Sequence, residues 1–79
     1  MGKIDKLYSK MKRNPKNVTF KDIETICKHF DCYVENYSGG SHYAIGHSKI
    51  SNTITVPRHN PVKEVYVKRV LEIIDELRG

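Results

Sequence analysis

The chain has 79 residues and a formal net charge of +5, with a pI near 9.3. A domain this short buries only about 60% of the surface its unfolded chain exposes. That leaves no room for a cofactor domain or a deep enclosed active site, so function must sit on a surface or in a shallow groove. The positive charge is uneven: Lys3, Lys6, Lys10, Lys12, Arg13, Lys16 and Lys21 are opposed in that stretch only by Asp5. A cationic surface favours polyanionic partners, although a charge of this size is also ordinary for solubility, on the order of 2–8.

In chain order, Ile4, Leu7, Tyr8 and Met11 recur at i, i+3, i+4 and i+7 and predict a helix over 3–13. Pro15 breaks it. Thr19 is a strong N-cap with Asp22 three residues on, and Val18 with Ile23 forms a hydrophobic staple. The helix that follows buries Phe20, Ile23, Ile26, Cys27 and Phe30. Residues 32–37 read as a strand, Ser38-Gly39-Gly40 as a turn, and 41–47 as the returning strand. The period of two places His42, Ala44 and Gly46 on one face and Ser41, Tyr43, Ile45 and His47 on the other. Ser48 to Asn52 reads as a second turn, and Thr53 to Val56 as a third strand that Pro57 ends. Pro61 is expected to open the last helix, whose apolar stripe is Val67, Val70, Leu71, Ile74 and Leu77. Lys68, Arg69, Glu72, Asp75 and Glu76 interrupt that stripe, which excludes a membrane span. Helices bracketing three strands predict a single α+β domain over 1–79, a three-stranded antiparallel sheet packed on helices with one face open.

Cys27 and Cys32 are too few for a secreted disulfide framework, and nothing resembles a signal peptide, so the expected location is the cytoplasm. Cys27, His29 and Cys32 with His42 or His47 offer four metal-type ligands, but the C-x-H-x-x-C spacing is not a standard site and Cys27 falls on the apolar stripe. No metal and no cofactor are therefore expected.

His42 is the leading candidate for chemistry. It follows a glycine turn, small residues share its face, and imidazole titrates near neutral pH. Arg58, His59 and Lys63 follow the third strand, where they can bind phosphate, and His59 can act as a second proton-transfer group. Each also has a plain reading, as an exposed strand histidine, a loop histidine or a solvated cation. Tyr33, Tyr37 and Tyr43 can stack on bases, but cross-strand packing explains them equally.

Gly40-Ser41-His42, the strand ending in His47, Val56-Pro57-Arg58-His59 and the closing apolar helix together resemble the HicA toxins of prokaryotic toxin–antitoxin systems. Arg13 to Phe20 is similar to a subgroup with an extra N-terminal helix. The resemblance implies a fold like a double-stranded-RNA-binding domain. It implies an endoribonuclease (an mRNA interferase) that cleaves messenger RNA without a metal or small-molecule cofactor, with His42 catalytic. Ser41, Arg58, His59 and Lys63 are the residues expected at the RNA. It also implies neutralisation by a HicB-like antitoxin that covers the site. Two departures stand out: Glu35, Asn36 and Tyr37 occupy positions where many members carry a basic residue, and Ile45 stands where many have an aromatic. The alternatives are an RNA-binding module that does not cut, and a chain that works mainly by holding its antitoxin.

Overall fold

The computed structural model describes residues 2–36 and 39–79. Tyr37 and Ser38, expected at a strand end and in a turn, lie outside the described residues. The elements are α1 (Lys3–Arg13), α2 (Phe20–His29), β1 (Tyr33–Glu35), β2 (His42–His47), β3 (Ile50–Pro57) and α3 (Glu64–Arg78). The class is α+β: the described residues form three helices and a three-stranded antiparallel meander in the order β1-β2-β3.

The stripe of α1 behaves as its spacing predicts. Met11 is fully buried, and Ile4, Leu7 and Tyr8 pack partly against the core. At α2 the capping box forms in both directions: Thr19 Oγ1 accepts from the Asp22 N–H at 3.2 Å, and Asp22 Oδ2 accepts from the Thr19 N–H at 3.1 Å. These bonds satisfy donors that the first turn would otherwise leave unpaired. Phe20 N–H, a third such donor, is taken by Asn60 Oδ1 at 2.8 Å, across 40 residues of chain.

Two expected boundaries differ. Cys32 is claimed by the end of α2 and not by the sheet, because its N–H donates to the Cys27 carbonyl at 2.9 Å. The second turn is shorter than 48–52, with β3 starting at Ile50. Ile45 pairs with Ile54 but His47 pairs with Ile50, so Ser51, Asn52 and Thr53 bulge opposite Gly46 alone. His47 Nδ1 accepts from the Lys49 N–H at 3.0 Å and helps close that tight turn.

Pro61 does not open α3, which begins three residues later with extended Lys63 as its N-cap. The intervening chain is held instead by Val62, whose N–H donates to the Val18 carbonyl at 2.8 Å and whose side chain is buried. Burial of that valine competes with continuing the helix backwards.

The core lies between the sheet and the helices. Phe20 and Met11 are its largest fully buried side chains, with Ile45, Val56 and Ile74 facing them. α2 packs toward β1 and α3 toward β3, while α1 rests on both helices. The shortest molecular dimension is 18 Å, room for one sheet and one helical layer, since a helix with its side chains is about 10–12 Å across. Among the described residues, no helix covers the other face of the sheet.

Candidate functional site

The open face follows from the register. Tyr33 pairs with Gly46 and Glu35 with Ala44, while His42 pairs with Pro57 and Ala44 with Thr55. Ile45 and Val56, one residue out of phase, are fully buried. His42, Ala44 and Gly46 therefore share the uncovered face with Tyr33, Glu35 and Thr55, as the alternation predicts, and His42 is exposed.

Three local features fix the backbone that carries His42. Gly39 takes φ 75°, a left-handed conformation that glycine adopts without strain. Asn36 clamps the connection from both sides: its Oδ1 accepts from the Gly39 N–H at 2.7 Å, and its Nδ2 donates to the Gly40 carbonyl. The Ser41 carbonyl accepts from the Arg58 N–H, closing the β2–β3 ladder beside the histidine. The Asn36 clamp was not foreseen from sequence. Its only signal is the taste of asparagine for side-chain bonds to turn backbone.

The low surface expected beside the imidazole is only half present. Ala44 leaves it open, but the Tyr33 ring crosses Gly46 to reach β3, where its hydroxyl lies 3.1 Å from Thr53 Oγ1. A Cβ placed on Gly46 would lie 2.5 Å from that hydroxyl oxygen and 2.7 Å from the ring carbon bearing it. Gly46 thus admits an aromatic ring across the sheet, the arrangement by which an aromatic compensates a strand glycine. Tyr43 faces the core, its ring 5.0 Å from that of Phe20.

The remaining candidates divide. The Arg58 guanidinium stands over the rings of Phe20 at 5.2 Å and Tyr43 at 6.0 Å, on the helix side of the sheet. It shares the end of the sheet with His42 but not its face. His59 is exposed, with Nδ1 3.2 Å from the Pro61 carbonyl. A carbonyl only accepts, so this bond places a proton on Nδ1 and leaves Nε2 turned elsewhere. Lys63 is exposed at the start of α3, beyond the Val62 anchor. Ser41 is exposed beside His42. The segment 58–63 thus runs from the histidine end of the sheet, across the N-terminus of α2, to α3.

His47 lies at the far end of β2, about 17 Å from His42 at ~3.3 Å per residue, and is engaged with its own turn. His29 sits on the last turn of α2, edge-on to Phe30 with ring centroids 5.0 Å apart. Among the described residues no group of three histidine, cysteine or carboxylate side chains converges as metal ligands would. Of the ligand types weighed in the sequence, Cys27 and Cys32 come together at the end of α2.

Glu35 is the group that the sequence reading used only as a departure. The register sets it diagonal to His42 on the same face, where Cα atoms of such pairs lie roughly 7–8 Å apart, within reach of long side chains. It is exposed. A carboxylate there can orient an imidazole by accepting a hydrogen bond from it.

The N-terminal cations are partly spent on structure. Lys10 pairs with Asp22 at 3.4 Å and Lys12 with Asp75 at 3.0 Å. Asp75 also accepts from the Tyr8 hydroxyl. That hydroxyl, and then Lys12, hold the Asp75 carboxyl below its ordinary pKa, and the same carboxylate raises that of Lys12. Lys3, Lys6, Arg13, Lys16 and Lys21 remain exposed. A hollow of about 280 Å³ lies between β3 and α3, lined by Asn52, Thr53, Arg69 and Glu72 among others. His42 is not among its lining residues. No helix among the described residues is long and apolar enough to cross a membrane. No family model, curated protein or solved structure matches the chain.

Proposed function

We propose that this protein is a HicA-like endoribonuclease that cuts single-stranded messenger RNA on the open sheet face. The observation that carries the reading is His42, exposed on that face and held by the Asn36 clamp, the Gly39 turn and the pairing with Pro57. The imidazole takes the proton from a ribose 2′-hydroxyl, whose oxygen attacks the adjacent phosphorus. The 5′-oxygen leaves and takes a proton from the imidazolium so formed, giving a 2′,3′-cyclic phosphate and a 5′-hydroxyl. A positioned proton-transfer group contributes roughly 10²–10⁴ in rate, enough for a slow toxin. Arg58 and Lys63 supply charge for flanking phosphates, Ser41 a hydroxyl donor, and His59 a second imidazole from the neighbouring loop. In this reading the unit from α2 to α3, helix, three strands and helix, is a double-stranded-RNA-binding-domain-like fold with α1 added. A HicB-like antitoxin is its partner and covers the same face.

The direct test incubates purified protein with single-stranded RNA in the presence of a chelator. Cleavage to cyclic-phosphate ends that is lost in His42→Ala supports the reading. Cleavage that survives His42→Ala, or that needs added metal, defeats it. A non-cutting RNA-binding module is favoured by one observation: the Arg58 guanidinium lies on the opposite side of the sheet from His42. Retarded but intact RNA in the same assay would establish that alternative.

A further inference from the structure

Cys27 and Cys32 have no part in the proposed RNA chemistry, yet the end of α2 forces them together. The helix closes in a Schellman turn. Cys32 N–H donates to the Cys27 carbonyl at 2.9 Å, Asp31 N–H to the Lys28 carbonyl at 3.2 Å, and Asp31 takes φ 61° where glycine is usual. In this motif the side chain three places before the cap meets the one two places beyond it, normally as an apolar contact. Here that contact is thiol against thiol. A disulfide needs Cα atoms about 4.4–6.8 Å apart, and a direct backbone hydrogen bond between the two residues holds them at that order of separation.

The two sulfurs are not equivalent. Cys27 is fully buried, whereas Cys32 retains 8% exposure and lines a surface hollow of about 220 Å³ with Glu24, Lys28 and Val34. Both are free thiols. The neighbouring Cys32 sulfur, then burial, push the Cys27 thiol above the ordinary thiol range, and the neighbouring Cys27 thiol lowers the pKa of Cys32 against the opposing influence of burial and Asp31. The reachable sulfur is thus also the one favoured as thiolate, the form that reacts.

We propose that Cys27 and Cys32 form a redox-active dithiol that a small peroxide oxidises to an intrachain disulfide. The Cys32 thiolate attacks one peroxide oxygen, the O–O bond breaks and hydroxide leaves, giving a sulfenic acid on Cys32. The Cys27 sulfur then attacks the Cys32 sulfur and the S–O bond breaks. The departing hydroxyl leaves as water with the Cys27 proton. In sum, two thiols lose two electrons and two protons, and hydrogen peroxide becomes two waters. Cys32 is the attacking residue and Cys27 the resolving one. The site is independent of the RNA reading and stands if that reading fails.

The experiment treats the reduced full chain with hydrogen peroxide and follows intact mass, alkylation after unfolding and peptide mapping. The expected product is a monomer lighter by two hydrogen atoms, with both thiols lost together, Cys27 joined to Cys32, and full reversal by dithiothreitol. Cys27→Ala is expected to leave Cys32 trappable as sulfenic acid by dimedone. In Cys32→Ala the lone Cys27 is expected to react at least about tenfold more slowly. Intermolecular dimers, or sulfinic acid on Cys32 with Cys27 still alkylatable in the unsubstituted chain, would overturn the proposal. So would equal rates in the two variants, or thiols in the unsubstituted chain as slow as those in Cys32→Ala. The peptide map needs no variant, so misfolding of a variant cannot shelter the idea.

Discussion

Replacing Gly46 by alanine is expected to change the sign of its effect with the residue at position 33. In the native chain the new Cβ would fall 2.5 Å from the Tyr33 hydroxyl oxygen and 2.7 and 3.1 Å from two ring carbons. Three close atoms of one rigid ring cannot be relieved by a bond rotation at the tip, so the whole ring must lift. Lifting breaks the 3.1 Å contact with Thr53 Oγ1, which is worth about 0.5–1.5 kcal/mol. Displacing a packed ring adds about 1 kcal/mol or somewhat more. Against this, alanine costs about 0.5–1 kcal/mol less than glycine in a strand. The net loss is about 1–2 kcal/mol, or roughly 5–12 °C in Tm for a domain of this size.

With Tyr33→Ala as background the clash and the Thr53 contact are already gone. Gly46→Ala should then stabilise, by about 0.5–1 kcal/mol. Thermal and urea unfolding of the four proteins give a double-mutant cycle, with an expected coupling of about 2 kcal/mol. If Gly46→Ala shifts stability in the same direction and by the same amount in both backgrounds, the ring does not lie across the glycine and the account of the open face is wrong.

Asn36→Ala removes both bonds of the clamp ahead of His42. It should cost about 1–2 kcal/mol in denaturant unfolding and lower RNA cleavage, while Asn36→Asp, which keeps an acceptor for the Gly39 N–H, should lose less of both. Asn60→Ala strips the acceptor from the Phe20 N–H and should cost about 1 kcal/mol, the usual scale of a lost N-cap, measured by Tm. Acid titration should single out Asp75. Its carboxyl is held below the ordinary value, chiefly by the Tyr8 hydroxyl, so the folded state binds that proton less readily than the unfolded chain. The stabilisation is full above the ordinary carboxyl pKa and disappears as pH falls through the depressed one. Asp75→Asn should flatten the stability profile across that interval, most visibly at low salt because the pair with Lys12 is exposed.

The helices were legible because their signals are local. The stripe through Met11, the Thr19–Asp22 capping box and the run from Val67 to Leu77 depend on spacings of three and four residues, and each appears as spaced. The strand alternation was legible for the same reason, and it placed His42 on the open face. The missed features depend on partners distant in sequence. Nothing near Asn60 indicates that its side chain caps a helix 40 residues earlier, and nothing near Val62 indicates its bond to Val18, which displaces the start of α3 from Pro61. The bulge at Ser51 to Thr53 depends on which register satisfies both Ile45 against Ile54 and a tight turn at Ser48-Lys49. Gly46 looked like open surface because the ring that crosses it comes from another strand.

The placement of the histidine follows from the economy of a small domain. A core drawn from 79 residues fills one sheet face and the helices beneath it, so on the other face, the Tyr33 ring over Gly46 apart, side chains are not fixed by packing. Precision there must come from backbone position and polar bonds. The molecule meets that need at one end of the sheet, where the Asn36 clamp, the left-handed Gly39 and the Arg58–Ser41 bond converge on the residues before and beside His42. The same end is tied to the core through Arg58 over Phe20 and through Asn60 on the first turn of α2. Movement of the 58–63 segment would therefore disturb the α2 cap and the histidine together.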